Sequence, residues 1–180
     1  MILPTEILRL RKETTMTKAT RALIITFVAF AASAAFSQTD AQKAFTSIKT
    51  LPGTWEGKAP DGKSLQVTFK VTSGGSAVLS EIIVPNEDMV SMIHLDGPNR
   101  LLLTHYCAAG NQPRMEARLS PDGKIITFSY VDATGLATPD AGHMQRMVLT
   151  LVDDNHHTEE WTFLDHGKEM KELFDLHRKL

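Results

Sequence analysis

From Ser64 to Thr72 the chain alternates Leu65, Val67, Phe69 and Val71 with Gln66, Thr68 and Lys70, the period-two pattern of a half-buried strand. Similar short segments follow down the chain, each bounded by turn residues. Pro60-Asp61-Gly62, Gly74-Gly75, Pro85-Asn86-Glu87, Gly97-Pro98-Asn99 and Ala108-Ala109-Gly110-Asn111 mark the first turns. Pro121-Asp122-Gly123, Asp153-Asp154-Asn155 and Asp165-His166-Gly167 mark later ones. The strands predicted between them cover 54–59, 64–72, 77–84, 89–95, 100–107, 114–119, 124–131, 144–152, 158–164 and 169–176. A longer Gly- and Pro-containing loop spans 132–142. Before the first strand, 40–50 has helical spacing at Phe45, Ile48 and Lys49, with Asp40 placed to cap it and Pro52-Gly53 to end it.

Short connections make sequential strands antiparallel, because a parallel link needs a crossover of about a dozen residues or more. No helical stretch lies between the strands to supply one. A meander of roughly ten strands must protect its edges, and closure does so most simply. The expected fold is therefore all-β, an antiparallel up-and-down barrel of roughly ten strands with a short N-terminal helix. An immunoglobulin-like sandwich is the alternative, but only one connection is long enough for a Greek key. The final segment is rich in helix formers, so a helix over 168–179 is the local alternative.

The N-terminus reads as an export signal. Lys18 and Arg21 precede an apolar run over 22–34, and Ala35-Phe36-Ser37 offers small residues for cleavage before Gln38, with cleavage after Ala34 as the alternative. Met16 stands directly before the basic residues, which makes 1–15 a candidate upstream extension. The division is thus a signal peptide over 1–37 and one barrel domain over 38–180. The apolar run is short for a membrane span, which takes about 20 residues. No stable span is expected after processing, and the location is periplasmic or secreted.

The chain of 180 residues has 19 basic and 21 acidic side chains, a formal charge of -2. Five basic residues (Arg9, Arg11, Lys12, Lys18, Arg21) and two acidic ones (Glu6, Glu13) fall in the leader. The remainder carries 14 against 19, a balance of -5. An acidic domain argues against nucleic acid as a partner. The single cysteine, Cys107, excludes an intramolecular disulfide and a cysteine cage for zinc. An unpaired thiol in an oxidising compartment needs shelter.

Gly53-Thr54-Trp55, where the helix meets the first strand, suits a tryptophan plugging one end of a barrel with a cation such as Arg146 across its indole. The tripeptide resembles the Gly-x-Trp signature of lipocalins and related calycins, and the start of fatty-acid-binding proteins and nitrobindin-like haem barrels. His94-Leu95-Asp96-Gly97, the run from Leu103 to Met115, Gly142-His143-Met144 and the run from His156 to Trp161 resemble exported bacterial proteins of unknown function. That resemblance implies a lipocalin-like domain and assigns no functional residue.

The strand over 100–107 carries the densest chemistry. Leu101, Leu103, His105 and Cys107 share one face, and the leucines argue that this face is interior. Asn111, Gln112 and Arg114 follow in the turn. At a barrel mouth they would orient a carboxylate or carbonyl ligand, with Arg114 as its bidentate partner. The competing reading has Asn111 and Gln112 satisfying the turn and Arg114 pairing with Glu116. The expected ligand site is therefore His105, Cys107, Asn111, Gln112, Arg114 and Arg146, with Trp55 structural. His105 and Cys107 as base and nucleophile lack a third orienting group and an identifiable oxyanion hole.

No cofactor is expected. Haem or a metal held by His105 or His143 is the alternative, and His156, His157, His166 and His177 are expected to face solvent. Of Glu159 and Glu160, alternation turns one inward, where it would seek Arg118 or Arg146. The function these features suggest is an exported barrel holding a small apolar or amphipathic molecule, a lipid-like one included. A filled barrel acting as a structural or interaction domain is the rival.

Overall fold

The computed structural model describes residues 37–59, 62–85 and 87–180. The segment expected to be an export signal, 1–37, lies outside the described residues except for Ser37, as do the turn residues Pro60, Asp61 and Asn86. Among the described residues one α-helix, α1 (Asp40–Ile48), precedes ten strands: β1 (Gly53–Lys58), β2 (Ser64–Thr72), β3 (Ala77–Val84), β4 (Glu87–Leu95), β5 (Leu101–Tyr106), β6 (Gln112–Leu119), β7 (Ile125–Thr134), β8 (His143–Asp153), β9 (His156–Asp165) and β10 (Lys168–Arg178). Each strand pairs antiparallel with the next, and β10 returns to β1, so the sheet is a closed up-and-down barrel. Among the described residues no helix is long and apolar enough to cross a membrane.

The cap of α1 is Thr39 rather than Asp40. Thr39 accepts from the Gln42 backbone N–H, and the Gln42 side chain accepts from the Thr39 backbone N–H, a reciprocal capping box. Asp40 instead sits in the first turn, where its carboxylate suits the positive end of the helix and pairs with Lys43 at 3.0 Å. The buried face of α1 is Ala44, Phe45 and Ile48. The Thr39 hydroxyl donates to the Pro98 carbonyl in the β4–β5 turn, tying the helix start to one end of the barrel.

The last segment is a strand because closure needs it. Phe174 and Leu176 are buried at alternate positions, and Trp55 to Lys58 pair with Arg178 to Asp175. β1 passes β10 so closely that a Cβ on Gly57 would lie 2.2 Å from the Asp175 carbonyl oxygen, so only glycine fits there.

Closure makes the two ends of the barrel chemically different. At the end that holds α1, Trp55 is fully buried and its indole N–H donates to the Leu51 carbonyl at 2.8 Å. The cation across its ring is Arg178, 4.2 Å from the centroid, and not Arg146. Arg178 is the residue opposite Trp55 in the β1–β10 register. Its guanidinium also donates to the carbonyls of Pro52, Thr50 and Asp154. Arg146 is excluded by a bulge in β8: the register slips between Met144 and Arg146, leaving Met147 and Leu149 inside and Arg146 exposed.

Candidate functional site

In an up-and-down barrel alternate turns share an end. The β3–β4, β5–β6, β7–β8 and β9–β10 connections therefore gather opposite α1. On β5, Leu101, Leu103 and His105 are all fully buried, and Cys107, the next residue on that face, is half-buried. Parity places Met89 of β4, Trp161 and Phe163 of β9, and Met170 and Glu172 of β10 at the same end, with Glu87 at the start of β4. Together with Met144 these side chains line an open cavity of about 420 Å³, walled on one side by Ala108 and Ala109.

Below this mouth runs a buried polar column. Ser91 Oγ and His105 Nδ1 share a hydrogen bond of 2.9 Å, and the His105 ring lies 4.8 Å from that of Trp161. Trp161 Nε1 donates to Glu159 Oε2 at 2.9 Å, and the other Glu159 oxygen lies 3.4 Å from His157 Nε2. The His157 ring meets Trp55 edge-on at 4.2 Å. The inward glutamate is thus Glu159, held by a tryptophan and a histidine. Its expected arginine partners, Arg118 and Arg146, are both exposed, whereas Glu160 pairs outside with Lys171 at 3.2 Å. His157 is fully buried and not solvent-facing, because β9 begins at His156 and alternation then turns His157 inward.

Burial lowers the His105 pKa to about 4, so the ring is neutral near pH 7. Its Nε2 has no hydrogen-bond partner. The Cys107 thiol is raised above its ordinary value, mainly by burial. The Glu87 carboxylate adds to the rise and the Ala109 backbone opposes it. A thiol so disposed is a poor nucleophile at neutral pH, and the His105 Nδ1 is engaged with Ser91.

The residues expected beside this pair separate. Asn111 is buried and donates from Nδ2 to the Gly142 carbonyl at 2.8 Å, clasping the β5–β6 turn to the β7–β8 loop, while its Oδ1 has no partner. Gln112 donates to the Gly110 carbonyl and accepts from the Thr134 hydroxyl. Arg114 stands on the exterior, bound through two nitrogens to Asp132, while Glu116 pairs with Arg100 at 2.8 Å. Arg114 and Arg146 are absent from the cavity lining. His143 is buried with both ring nitrogens engaged, by the Ala141 carbonyl at 2.8 Å and by Gln145 Oε1 at 3.1 Å. Both His143 nitrogens thus have hydrogen-bond partners, whereas His105 Nε2 has none.

Sequence reasoning missed Glu87, Met89, Met144, Phe163, Met170 and Glu172. Their signal is combined: inward parity on their own strands, plus a position near the turns that share the open end.

No family model matches the sequence, and no curated protein matches it. Solved structures share the fold, among them the following two. The protein Rv2717c of M. tuberculosis aligns with a TM-score of 0.55 at 16% identity, over 76% of this chain and 98% of that one. A protein of unknown function of the DUF3598 family, from Nostoc punctiforme PCC 73102, aligns with a TM-score of 0.51 at 12% identity, over 73% of this chain and 49% of that one. Both likenesses support the barrel fold.

Proposed function

We propose that the protein is an exported lipocalin-type barrel that binds a small amphipathic molecule in its open end. The observation that carries this reading is the cavity of about 420 Å³, within the size range of small-molecule sites. Met89, Met144, Trp161, Phe163 and Met170 supply apolar surface, and thioethers adapt to irregular shapes. Glu87 and Glu172 are the charged groups of the lining, and Arg114 is elsewhere. The site therefore suits a neutral or cationic head group better than a carboxylate.

Trp161 reports on the cavity, whereas Trp55 is sealed at the other end. Tryptophan fluorescence titrated with dodecylamine and with dodecanoate tests the proposal. The amine is expected to perturb the emission at lower concentration, with the response lost in Trp161→Phe. A dodecanoate response as strong as that of the amine would overturn the charge assignment. Silence with both, and with an uncharged dodecyl alcohol, would favour the filled barrel as a structural or interaction domain.

A second reading, haem or a metal on His105, rests on the free and buried Nε2 of that neutral imidazole. An absorbance spectrum of the protein after incubation with haemin decides it: a Soret band shifted from that of free haemin and lost in His105→Ala supports it, and an unshifted band removes it.

A further inference from the structure

The outer wall beside the closed end carries a second group of side chains, separate from the cavity. In the β9–β10 register His156 lies directly opposite His177. Both imidazoles point outward, since their neighbours His157 and Leu176 are fully buried. Asp175 lies two residues before His177, on the same face of β10. The two rings stack at 4.3 Å with planes 18° apart. One oxygen of Asp175 faces both: Oδ1 is 2.6 Å from His156 Nε2 and 3.6 Å from His177 Nε2. The three donor atoms lie within 4.8 Å of one another.

We propose that His156, Asp175 and His177 form a binding site for a divalent transition-metal ion of the zinc type. A tetrahedral ion with nitrogen and oxygen ligands at about 2.1 Å holds its ligand atoms roughly 3.4 Å apart. The Asp175–His177 separation already matches. His156 must retreat from Asp175 by less than about 1 Å, exchanging a hydrogen bond for a metal bond. Two imidazoles and one carboxylate suit zinc, nickel or copper, whereas calcium and magnesium take oxygen shells. A simple ion pair accounts for His156 and Asp175. It does not account for a second imidazole stacked on the first with its own nitrogen toward the same oxygen.

The surroundings favour a cation. His156 faces Asp153 across β8–β9, and His177 faces Glu56 across β1–β10, so the imidazole pair lies between two carboxylates. Lys58, opposite Asp175, and Lys179, paired with Glu56 at 2.6 Å, offset two of the three acids. The patch keeps a net negative charge, and Arg178 is turned away over Trp55. The His156 side chain is 26% exposed and anchors the site, while Asp175 and His177, at 61% and 65%, leave room for water in the remaining coordination positions.

The test is calorimetric titration of the full chain, free of any affinity tag and stripped of metal, with zinc chloride. One equivalent is expected to bind, with shifts of the His156 and His177 ring-proton NMR signals. His156→Ala and His177→Gln each weaken binding by at least about tenfold. His166→Ala, whose ring pairs with Asp140 in another loop, keeps the wild-type affinity. Both site variants alter outward-facing residues, and circular dichroism checks that they fold. Failure of the wild type to bind zinc would overturn the proposal. So would unchanged affinity in both folded site variants, which would put the metal on other groups such as Cys107.

Discussion

The two ends of this barrel are built from the same alternating strands and differ in what covers them. At the closed end α1 lies against the barrel, Trp55 has its indole N–H bonded, and Arg178 joins the indole face to three backbone carbonyls. At the open end a cavity remains, the thiol is half-buried, and the buried atoms His105 Nε2 and Asn111 Oδ1 have no partner. The closed end is close-packed and holds the fold together, although His157 Nδ1 beside Trp55 also lacks a partner, while an open end lined by flexible methionines offers a ligand more surface. With the proposed ligand in the open end, stability and binding are separated along the barrel axis.

That separation is broken most directly by truncating one side chain at each end. Trp55→Ala removes the largest fully buried side chain and leaves Arg178 without its ring. The expected loss is about 3–5 kcal/mol. Met170→Ala, at a residue 46% exposed on the rim, should cost no more than about 1 kcal/mol. Urea unfolding of both variants measures the contrast, and equal losses would show that the ends share the load. Gly53 supports the same end: its φ of +124° suits glycine, and a Cβ there would stand 3.2 Å from the Arg178 guanidinium.

The next effect lies between the ends. Unfolded, His105 titrates near 6.5, and burial lowers it to about 4 in the fold. Between those values the unfolded chain binds the extra proton, so stability falls as the pH drops through that window and is intact above it. The full loss is on the order of 3 kcal/mol. Unfolding midpoints at pH 7.5 and pH 4.5 should fall further for the wild type than for His105→Gln. His157 and Glu159 are common to both proteins, so the difference isolates His105. Equal falls would mean that His105 is protonated inside the barrel at little cost.

Much of this contrast is legible in the residues themselves. Alternation identified the strands, and the ranges of β2 and β3 match it end to end. Parity on β5 placed His105 inside, because two leucines share its face. What alternation cannot carry is closure. Arg178 reaches Trp55 only because β10 pairs with β1, a contact more than 120 positions apart in the chain. Local irregularity is the second gap. One bulge in β8 turns Arg146 outward, and another between Arg114 and Met115 shifts the pairing with β7. The cavity needed both kinds of information, since its walls come from β4, β8, β9 and β10 as well as from the turn after β5.

The smallest expected effect is the sharpest check on where the site ends. Arg114 stands two residues from Gln112 in sequence, yet its guanidinium is spent on Asp132 at the outer surface, with side chains 52% and 46% exposed. The pair holds Asp132 below the usual carboxylate range through its hydrogen bonds to Arg114, a local effect that solvent screens. Arg114→Ala should therefore unfold at the wild-type urea concentration and leave the response of Trp161 fluorescence to dodecylamine unchanged. Glu172→Gln, on the cavity wall, should instead weaken the amine and strengthen dodecanoate, because it removes one of the two carboxylates in the lining. If Arg114→Ala abolished binding while Glu172→Gln did not, the ligand would lie toward the β6–β7 wall. The open end would then be a solvent-filled cup above a closed core.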